Sequence, residues 1–199
     1  MFREQLLERV SGFCSLSEAQ LDQLQQHYEL MLKWNRVINL TRIERLGDVV
    51  DRHYAESLFL GANLPTGPLK IADLGSGAGF PGIPVAVLRP DCIVTLIESH
   101  QRKAVFLKEA CRRLSNVKVI AARAEAVSGD FDWALSRAVS WEDLEKVAFR
   151  LARSVALLGT DAPKGGEIRT VRLPWDEHRK LIMVADHRGD DFPATPSPR

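Results

Sequence analysis

The chain has 199 residues, of which 45% are hydrophobic and 27% are charged, and its formal net charge is +1. This composition predicts a folded protein with a hydrophobic core and excludes an intrinsically disordered chain. Because the net charge is close to zero, any nucleic-acid binding has to come from a local basic patch. The three cysteines lack metal-ligand spacing, and the sequence shows neither a signal peptide nor an apolar run long enough to span a membrane. We therefore expect a cytoplasmic protein with no membrane association and no metal site.

Residues 1–66 have the pattern of a helical cap. Ser17 and Gln20 form a capping box, which predicts that a helix begins at Ser17. Apolar residues then recur at helical spacing to about residue 32. A third helix is expected over residues 48–60, with Tyr54 facing inward, and a linker rich in turn residues follows it.

Residues 67–188 alternate between apolar strand patterns and helical patterns. Strands are predicted near residues 69–74, 92–97, 117–121, 131–136 and 154–160, with two further strands near 169–173 and 180–185. The intervening helices are predicted near residues 81–89, 99–114 and 141–153. Ser99 is the predicted cap of the second of these helices. This alternation predicts an α/β fold, with a doubly wound and mostly parallel sheet. Residues 189–199 are expected to fray.

A glycine-rich turn between the first strand and its helix is the main candidate binding site. Gly77-x-Gly79-x-x-Gly82 matches the dinucleotide-binding fingerprint, in which glycines let a ligand lie against the main chain. Glu98 ends the next predicted strand, where an acidic residue would accept the ribose hydroxyls of a nucleotide. These features fit an oxidoreductase that uses NAD or FAD.

Asp73 points to a different ligand at the same turn. Its carboxylate precedes Gly75, Gly77 and Gly79, and it would be a poor neighbour for a pyrophosphate and a good one for a cation. S-adenosylmethionine carries an amino group and a sulfonium and has no phosphate. The pattern Asp-x-Gly-x-Gly-x-Gly is also shared by class I methyltransferases, so both cofactors remain open at this point.

Other candidate ligand contacts follow later strands. Ala124 and Glu125 come after the third strand, close to the expected adenine edge, although an ordinary helix-start glutamate fits equally well. Arg137 ends the fourth strand at the edge of the sheet where ligands bind. The sequence shows no Ser/His/Asp or Cys/His arrangement, which is consistent with chemistry supplied by a cofactor.

Two groups of basic residues are candidates for RNA binding. Arg112 and Arg113 belong to a basic segment that a solvent-exposed helix face would also explain. Lys33, Arg36 and Arg52 lie near Trp34, and cations beside an aromatic side chain suit phosphate contact with base stacking. For His53, which follows Arg52, a structural role fits better than general-base catalysis, and the residue is also kept among the candidates for RNA binding.

Several stretches together resemble the RsmG (GidB) family of bacterial methyltransferases, which act on N7 of a guanine in 16S ribosomal RNA. The resemblance covers residues 30–139 and rests on the segments Trp34–Thr41, Arg52–Leu58, Asp73–Pro84, Glu98–Ser99, Arg123–Glu125 and Ser136–Val139. It implies a class I methyltransferase fold, S-adenosylmethionine as cofactor, and 16S rRNA or the small ribosomal subunit as partner. We expect the protein to be a monomer.

Carried over by position, the resemblance implies cofactor contacts at Gly75, Phe80, Ala124, Glu125 and Arg137. The family's Lys-Gly pair after the fifth strand corresponds to Lys164-Gly165, which adds Lys164 to the RNA-binding candidates. The sequence departs from the family around this pair, where the usual helix before the last two strands is missing. An RNA-binding module without catalysis remains the second alternative to a methyltransferase.

Overall fold

The computed structural model describes residues 1–137, 140–161, 163 and 167–185. Its N-terminal part is helical, as predicted, and consists of α1 (Phe2–Val10), α2 (Glu18–Asn35), α3 (Leu46–Val49) and α4 (Glu56–Asn63), with a π-helical segment (Val50–Ala55) joining the last two. The predicted capping box is confirmed, because the Gln20 amide donates to Ser17 Oγ and the Ser17 amide donates to Gln20 Oε1.

The remainder of the chain alternates between strands and helices. Its strands are β1 (Lys70–Leu74), β2 (Ile93–Ile97), β3 (Val117–Ile120), β4 (Phe131–Arg137), β5 (Ala152–Gly159), β6 (Glu167–Leu173) and β7 (Asp176–Ala185). Its helices are α5 (Gly82–Leu88), α6 (Gln101–Ala110) and α7 (Trp141–Leu151), and a 3₁₀ turn covers Ala124–Ala126.

The strands form one seven-stranded sheet in the order β3-β2-β1-β4-β5-β7-β6. The first five strands run parallel, whereas β7 pairs antiparallel with both β5 and β6. The predicted α/β class and the mostly parallel sheet are therefore confirmed. The chain order reverses between β1 and β4, and in such sheets ligands bind beyond the carboxyl ends of the strands.

Two predicted boundaries were wrong at α6. His100, not Ser99, is the N-cap residue, because the Glu98 carboxylate accepts the His100 amide and sets where the helix begins. The helix ends at Ala110 rather than near residue 114. After it the Arg112 amide donates to the Glu109 carbonyl, and this three-residue spacing turns the chain out of the α-helix.

The helical cap packs into the same core as one face of the sheet. Leu6 and Tyr54 of the cap belong to one buried cluster with Phe106 of α6 and Leu135 of β4. A second cluster on the opposite face contains Leu144 of α7. None of the helices in the described part of the chain is long and apolar enough to cross a membrane.

Candidate active site

The glycine turn follows β1 and bends through three glycines with positive φ. These are Gly75 (φ 74°), Gly77 (φ 56°) and Gly79 (φ 90°), a conformation that residues with a Cβ rarely adopt. A Cβ at Gly79 would lie 2.4 Å from Ile83 Cδ1, so this glycine allows the turn to pack against α5. A Cβ at Gly77 would meet nothing closer than the Gly75 carbonyl oxygen at 3.8 Å, so Gly77 borders open space.

Six backbone amides of this turn are used inside the protein. Gly75 and Ser76 donate to the Ile97 carbonyl, Gly77 donates to Glu98, Gly79 and Phe80 donate to the Ser76 carbonyl, and Gly82 donates to Asp73. A turn that binds a pyrophosphate needs amides that point at the anion. Because these amides already have acceptors, the turn suits a ligand without phosphate.

Glu98 holds the turn from the end of β2. Its Oε2 accepts the Gly77 amide at 2.8 Å and its Oε1 accepts the His100 amide at 2.7 Å, and the residue is 7% exposed. Each carboxylate oxygen can accept a further hydrogen bond. The ribose contact predicted for Glu98 therefore remains chemically available and stays a prediction.

Asp73 lies behind the turn and is completely buried. Its Oδ2 accepts the Gly82 amide at 3.0 Å, and its Oδ1 has no hydrogen-bond partner within the described residues. Burial raises the pKa of the Asp73 carboxyl to about 7. The buried Asp73 carboxyl faces the Gly82 amide rather than open space, so the contact with a cationic ligand that the sequence predicted stays a prediction.

Phe80, His53 and Arg137 pack together beside the turn. The His53 ring stacks on Phe80 with centroids 4.5 Å apart, and Arg137 Cζ lies 5.5 Å from the Phe80 centroid. Arg137 also donates a hydrogen bond to the Arg52 carbonyl. Burial lowers the pKa of Arg137 to about 10, an effect that Glu56 opposes, so the guanidinium stays charged at neutral pH. These contacts bring the predicted cofactor residues Phe80 and Arg137 together.

The structure places His53 inside the protein, so the direct RNA contact predicted for it is not retained. It is 1% exposed, and its Nε2 hydrogen-bonds Thr41 Oγ1 at 2.8 Å. Burial, reinforced by Arg137, lowers the pKa of His53 to about 2. The His53 ring is therefore neutral, and its role is to pack against its neighbours beneath the cap.

The 3₁₀ turn after β3 carries Ala124, which is half-buried, and Glu125, which is exposed. Arg150 of α7 holds this turn, because its guanidinium donates to the Ala124 carbonyl at 2.8 Å and to the Glu125 carbonyl at 3.2 Å. No sequence signal indicated this support, since Arg150 looked like an ordinary exposed helix residue.

The predicted RNA-binding residues divide between two clefts. Lys33, Arg112 and Arg113 line a groove of about 340 Å³ between α2 and the end of α6. Arg52 lines a separate cleft of about 890 Å³ beyond β4 and β5. Arg36 is exposed at the end of α2.

Arg137, Arg179 and Trp141 also line the larger cleft. Trp34 is not a free stacking surface, because it is half-buried and its indole N–H donates to Glu109 at 3.1 Å. Lys164 lies outside the described residues.

Two further interactions of the site were not predicted from the sequence. Arg179 donates to both carboxylate oxygens of the buried Glu56, at 2.6 and 2.8 Å, which ties β7 to the cap. His27 of α2 contacts the Ala78 carbonyl of the glycine turn. Within the described ranges, no group of three or more His, Cys, Asp or Glu side chains is placed to hold a metal ion.

The sheet order and the turn geometry define a class I methyltransferase fold, and solved structures support this. Magnesium protoporphyrin IX methyltransferase from Synechocystis, solved with bound S-adenosylmethionine, is similar with a TM-score of 0.55 and 16% identity, covering 86% of this chain and 98% of that one. Fibrillarin from Aeropyrum pernix, also with bound S-adenosylmethionine, has a TM-score of 0.52 and 18% identity over 66% of this chain and 73% of that one.

The sequence comparisons give the family. A family model described as rRNA small subunit methyltransferase G (GidB) matches residues 20–157. The ribosomal RNA small subunit methyltransferase G of Nitrosospira multiformis is 42% identical over 153 residues, which are 74% of this chain and 69% of the relative. That of Xanthomonas campestris pv. campestris strain B100 is 42% identical over 175 residues, or 85% of this chain and 77% of the relative. The chain belongs to the rRNA small subunit methyltransferase G family.

Membership of this family confirms the predicted resemblance and the predicted cofactor, S-adenosylmethionine. The two alternatives, a dinucleotide-dependent oxidoreductase and a noncatalytic RNA-binding module, receive no support. In relatives of this family, the region matched by this chain covers between 49% and 77% of the relative's own length.

Proposed function

We propose that this protein transfers the methyl group of S-adenosylmethionine to N7 of a guanine in 16S ribosomal RNA. Its family supports the enzyme class and the ribosomal RNA substrate. The observation that carries the cofactor part of the proposal is the glycine turn, most of whose amides already have acceptors inside the protein, with the Glu98 carboxylate at the Gly77 amide. The proposal includes the predicted monomeric state and cytoplasmic location.

The carboxylates suit the groups that S-adenosylmethionine presents. Glu98 would accept ribose hydroxyls through the free acceptor capacity of its oxygens. Asp73 would contribute from behind the turn, where its Oδ2 accepts the Gly82 amide. Phe80 and Arg137, which contact each other, would flank the methionine portion, and Ala124 and Glu125 would border the adenine.

The bound cofactor supplies an electrophilic methyl group, and the reaction then needs no general base. The lone pair of guanine N7 attacks the methyl carbon, and the carbon–sulfur bond breaks with its electron pair going to sulfur. S-adenosylhomocysteine leaves, and the methylated base carries the positive charge. Because no proton leaves N7, the protein has to align the reacting atoms and exclude water.

The larger cleft beyond β4 and β5 is the proposed place for the target nucleotide. Arg137 links it to the cofactor side, since the same guanidinium contacts Phe80 and lines the cleft. Its volume of about 890 Å³ is ample for one nucleotide, and Arg52 adds positive charge for a phosphate, whereas Arg179 is already paired with Glu56. Lys33, Arg36, Arg112 and Arg113 would contact backbone phosphates further away.

The experiment that tests the proposal measures transfer of labelled methyl groups from S-adenosylmethionine to small ribosomal subunits that lack the modification. We expect label in 16S rRNA and none in large-subunit rRNA treated in the same way. Calorimetry should show binding of S-adenosylmethionine and none of NAD. Labelling of neither RNA, with S-adenosylmethionine bound, would contradict the proposed substrate.

A further inference from the structure

We infer that His27 is a positioning residue of the cofactor site, which the cap uses to hold the Ala78 carbonyl of the glycine turn in place. The inference rests on the proposed binding of S-adenosylmethionine at this turn. It concerns a residue of α2 that lies far from the turn in sequence and that none of the motifs includes.

His27 is buried where the cap meets the sheet domain. It is 3% exposed, and its ring packs against Tyr54 and Phe80 with centroids 5.7 and 5.2 Å away, and against Phe106 at 6.0 Å. An imidazole in such apolar surroundings needs partners for both ring nitrogens. The structure provides one partner on each side of the ring.

These two partners determine where the proton of His27 lies. Nε2 is 3.0 Å from the Ala78 carbonyl oxygen, which can only accept, so Nε2 carries the proton. Nδ1 of the neutral ring is then an acceptor, and the Tyr54 hydroxyl donates to it across 2.8 Å. Burial lowers the pKa of His27 to about 4, which keeps the ring in this neutral form near pH 7. The result is a directional chain from Tyr54 through His27 to the turn.

Ala78 needs this external contact because of its neighbours. Gly77 and Gly79 flank it, and both lack a Cβ that would restrict rotation of the adjoining peptide groups. Glu98 fixes the turn on one side through the Gly77 amide, and His27 fixes it on the other through the Ala78 carbonyl. The ring also lies close to Gly79, where a Cβ would be 3.3 Å from His27 Nε2.

Fixing the turn before the cofactor arrives improves affinity, since less conformational freedom is lost on binding. His27 would therefore act on the binding of S-adenosylmethionine and not on methyl transfer once the cofactor is bound. This separates its role from that of a residue needed only for folding, whose loss lowers stability without changing the affinity of the folded protein.

Calorimetry with S-adenosylmethionine on a set of variants tests this role, at a temperature where each variant is folded. His27→Phe keeps an aromatic ring but removes both hydrogen bonds. Its Kd should rise about tenfold, the effect of losing the one bond that reaches the glycine turn. His27→Gln restores an N–H donor and should recover part of the loss. At saturating cofactor the kcat of both variants should match the parent.

Tyr54→Phe removes only the hydroxyl that orients the ring, so its Kd should rise about threefold, less than for His27→Phe. The double variant should bind no more weakly than His27→Phe, because both changes break one chain. Tyr28→Phe is the matched control, since Tyr28 stacks on Phe2 in the same cap, and its Kd should be unchanged.

A His27→Phe protein that melts earlier but binds S-adenosylmethionine as tightly as the parent would overturn the inference. A parent protein that fails to bind S-adenosylmethionine would instead overturn the proposed function. These two failures are distinguishable because the parent is measured in the same series.

Discussion

The Glu98 carboxylate accepts the Gly77 amide at 2.8 Å, which joins the end of β2 to the middle of the glycine turn. The two residues are 21 positions apart in sequence. A hydrogen bond from a backbone amide to a carboxylate is stronger than one between two neutral groups. Glu98 therefore shapes the turn, in addition to the ribose contact that we propose for it.

Replacing Glu98 with glutamine should weaken cofactor binding for two reasons. The side chain would keep one acceptor oxygen and present an NH₂ group to either the Gly77 or the His100 amide, which cannot accept it. The variant should also bind ribose less well. We expect a loss of about 1–3 kcal/mol in calorimetry with S-adenosylmethionine.

Glu8→Gln is the control for this variant, because Glu8 is an exposed acid of α1. It removes the same charge far from the turn and should leave the affinity unchanged. Equal affinities for Glu98→Gln and the parent would remove Glu98 from the cofactor site.

Gly77→Ala should abolish or strongly weaken cofactor binding while the protein stays folded. The added Cβ would enter open space beside the turn, where the cofactor is expected to lie, and its backbone cost comes only from the positive φ. Calorimetry and thermal unfolding of the same preparation check both parts of this expectation.

Gly67→Ala is a matched control, because Gly67 also has a positive φ and a Cβ added there would meet no atom within 4 Å. Gly67→Ala should lose at least as much stability, since its φ of 91° lies further from the left-handed helical region than the 56° of Gly77, and only Gly77→Ala should lose the cofactor. Loss of binding in both would point to a general effect of backbone strain.

The buried Asp73 should make the stability of the protein depend on pH. Its pKa rises from 3.8 to about 7, so the folded protein keeps a proton that the unfolded chain has already released. This stabilising contribution is complete below the unfolded pKa and is lost as the pH rises through about 7. Between the unfolded and the folded pKa of Asp73, the free energy of unfolding of the parent should fall relative to that of Asp73→Asn. The expected fall is up to about 1.4 kcal/mol per pH unit.

Urea unfolding of the parent and of Asp73→Asn, from about pH 5 to pH 8, gives this difference directly. Other titrating groups, His27 among them, contribute equally to the free energy of unfolding of both proteins, so their contributions cancel in the difference. A difference that does not change with pH would show that Asp73 is ionised throughout.

Neutralising Arg112 and Arg113 should weaken RNA binding and reduce its dependence on salt. Each lost phosphate contact lowers the slope of log affinity against log salt by about 0.7–0.9. Filter binding of 16S rRNA at several salt concentrations measures the slope, and cofactor affinity should be unchanged.

Lys146→Gln with Arg153→Gln removes two cations elsewhere, and this pair should keep the parent slope. An unchanged slope for the Arg112 and Arg113 variant would place the RNA elsewhere.

The sequence predicted the sheet and the glycine turn because both leave local signals. Apolar runs separated by turn residues located the strands. The glycines between Asp73 and Gly82 could be explained only by a close ligand or a tight turn. The capping box at Ser17 was equally local, since both of its hydrogen bonds join residues three apart.

The parts that could not be predicted depend on contacts between distant segments. His27 looked like any polar residue of an amphipathic helix, because Ala78 approaches it only after the cap folds onto the sheet. The sequence favoured a structural role for His53 over general-base catalysis, but it did not indicate the stacking on Phe80, which comes from another segment. Arg150 and Arg179 likewise find their partners through tertiary packing.

The identity of the methylated nucleoside tests the central claim most directly. Small ribosomal subunits that lack the modification would be incubated with the protein and labelled S-adenosylmethionine, and the 16S rRNA would be digested and analysed by mass spectrometry. We predict labelled 7-methylguanosine, formed at a rate that does not rise with pH near neutrality, because N7 has no proton to lose. Label on an exocyclic amine or a ribose hydroxyl, or a rate that rises tenfold per pH unit, would contradict the account.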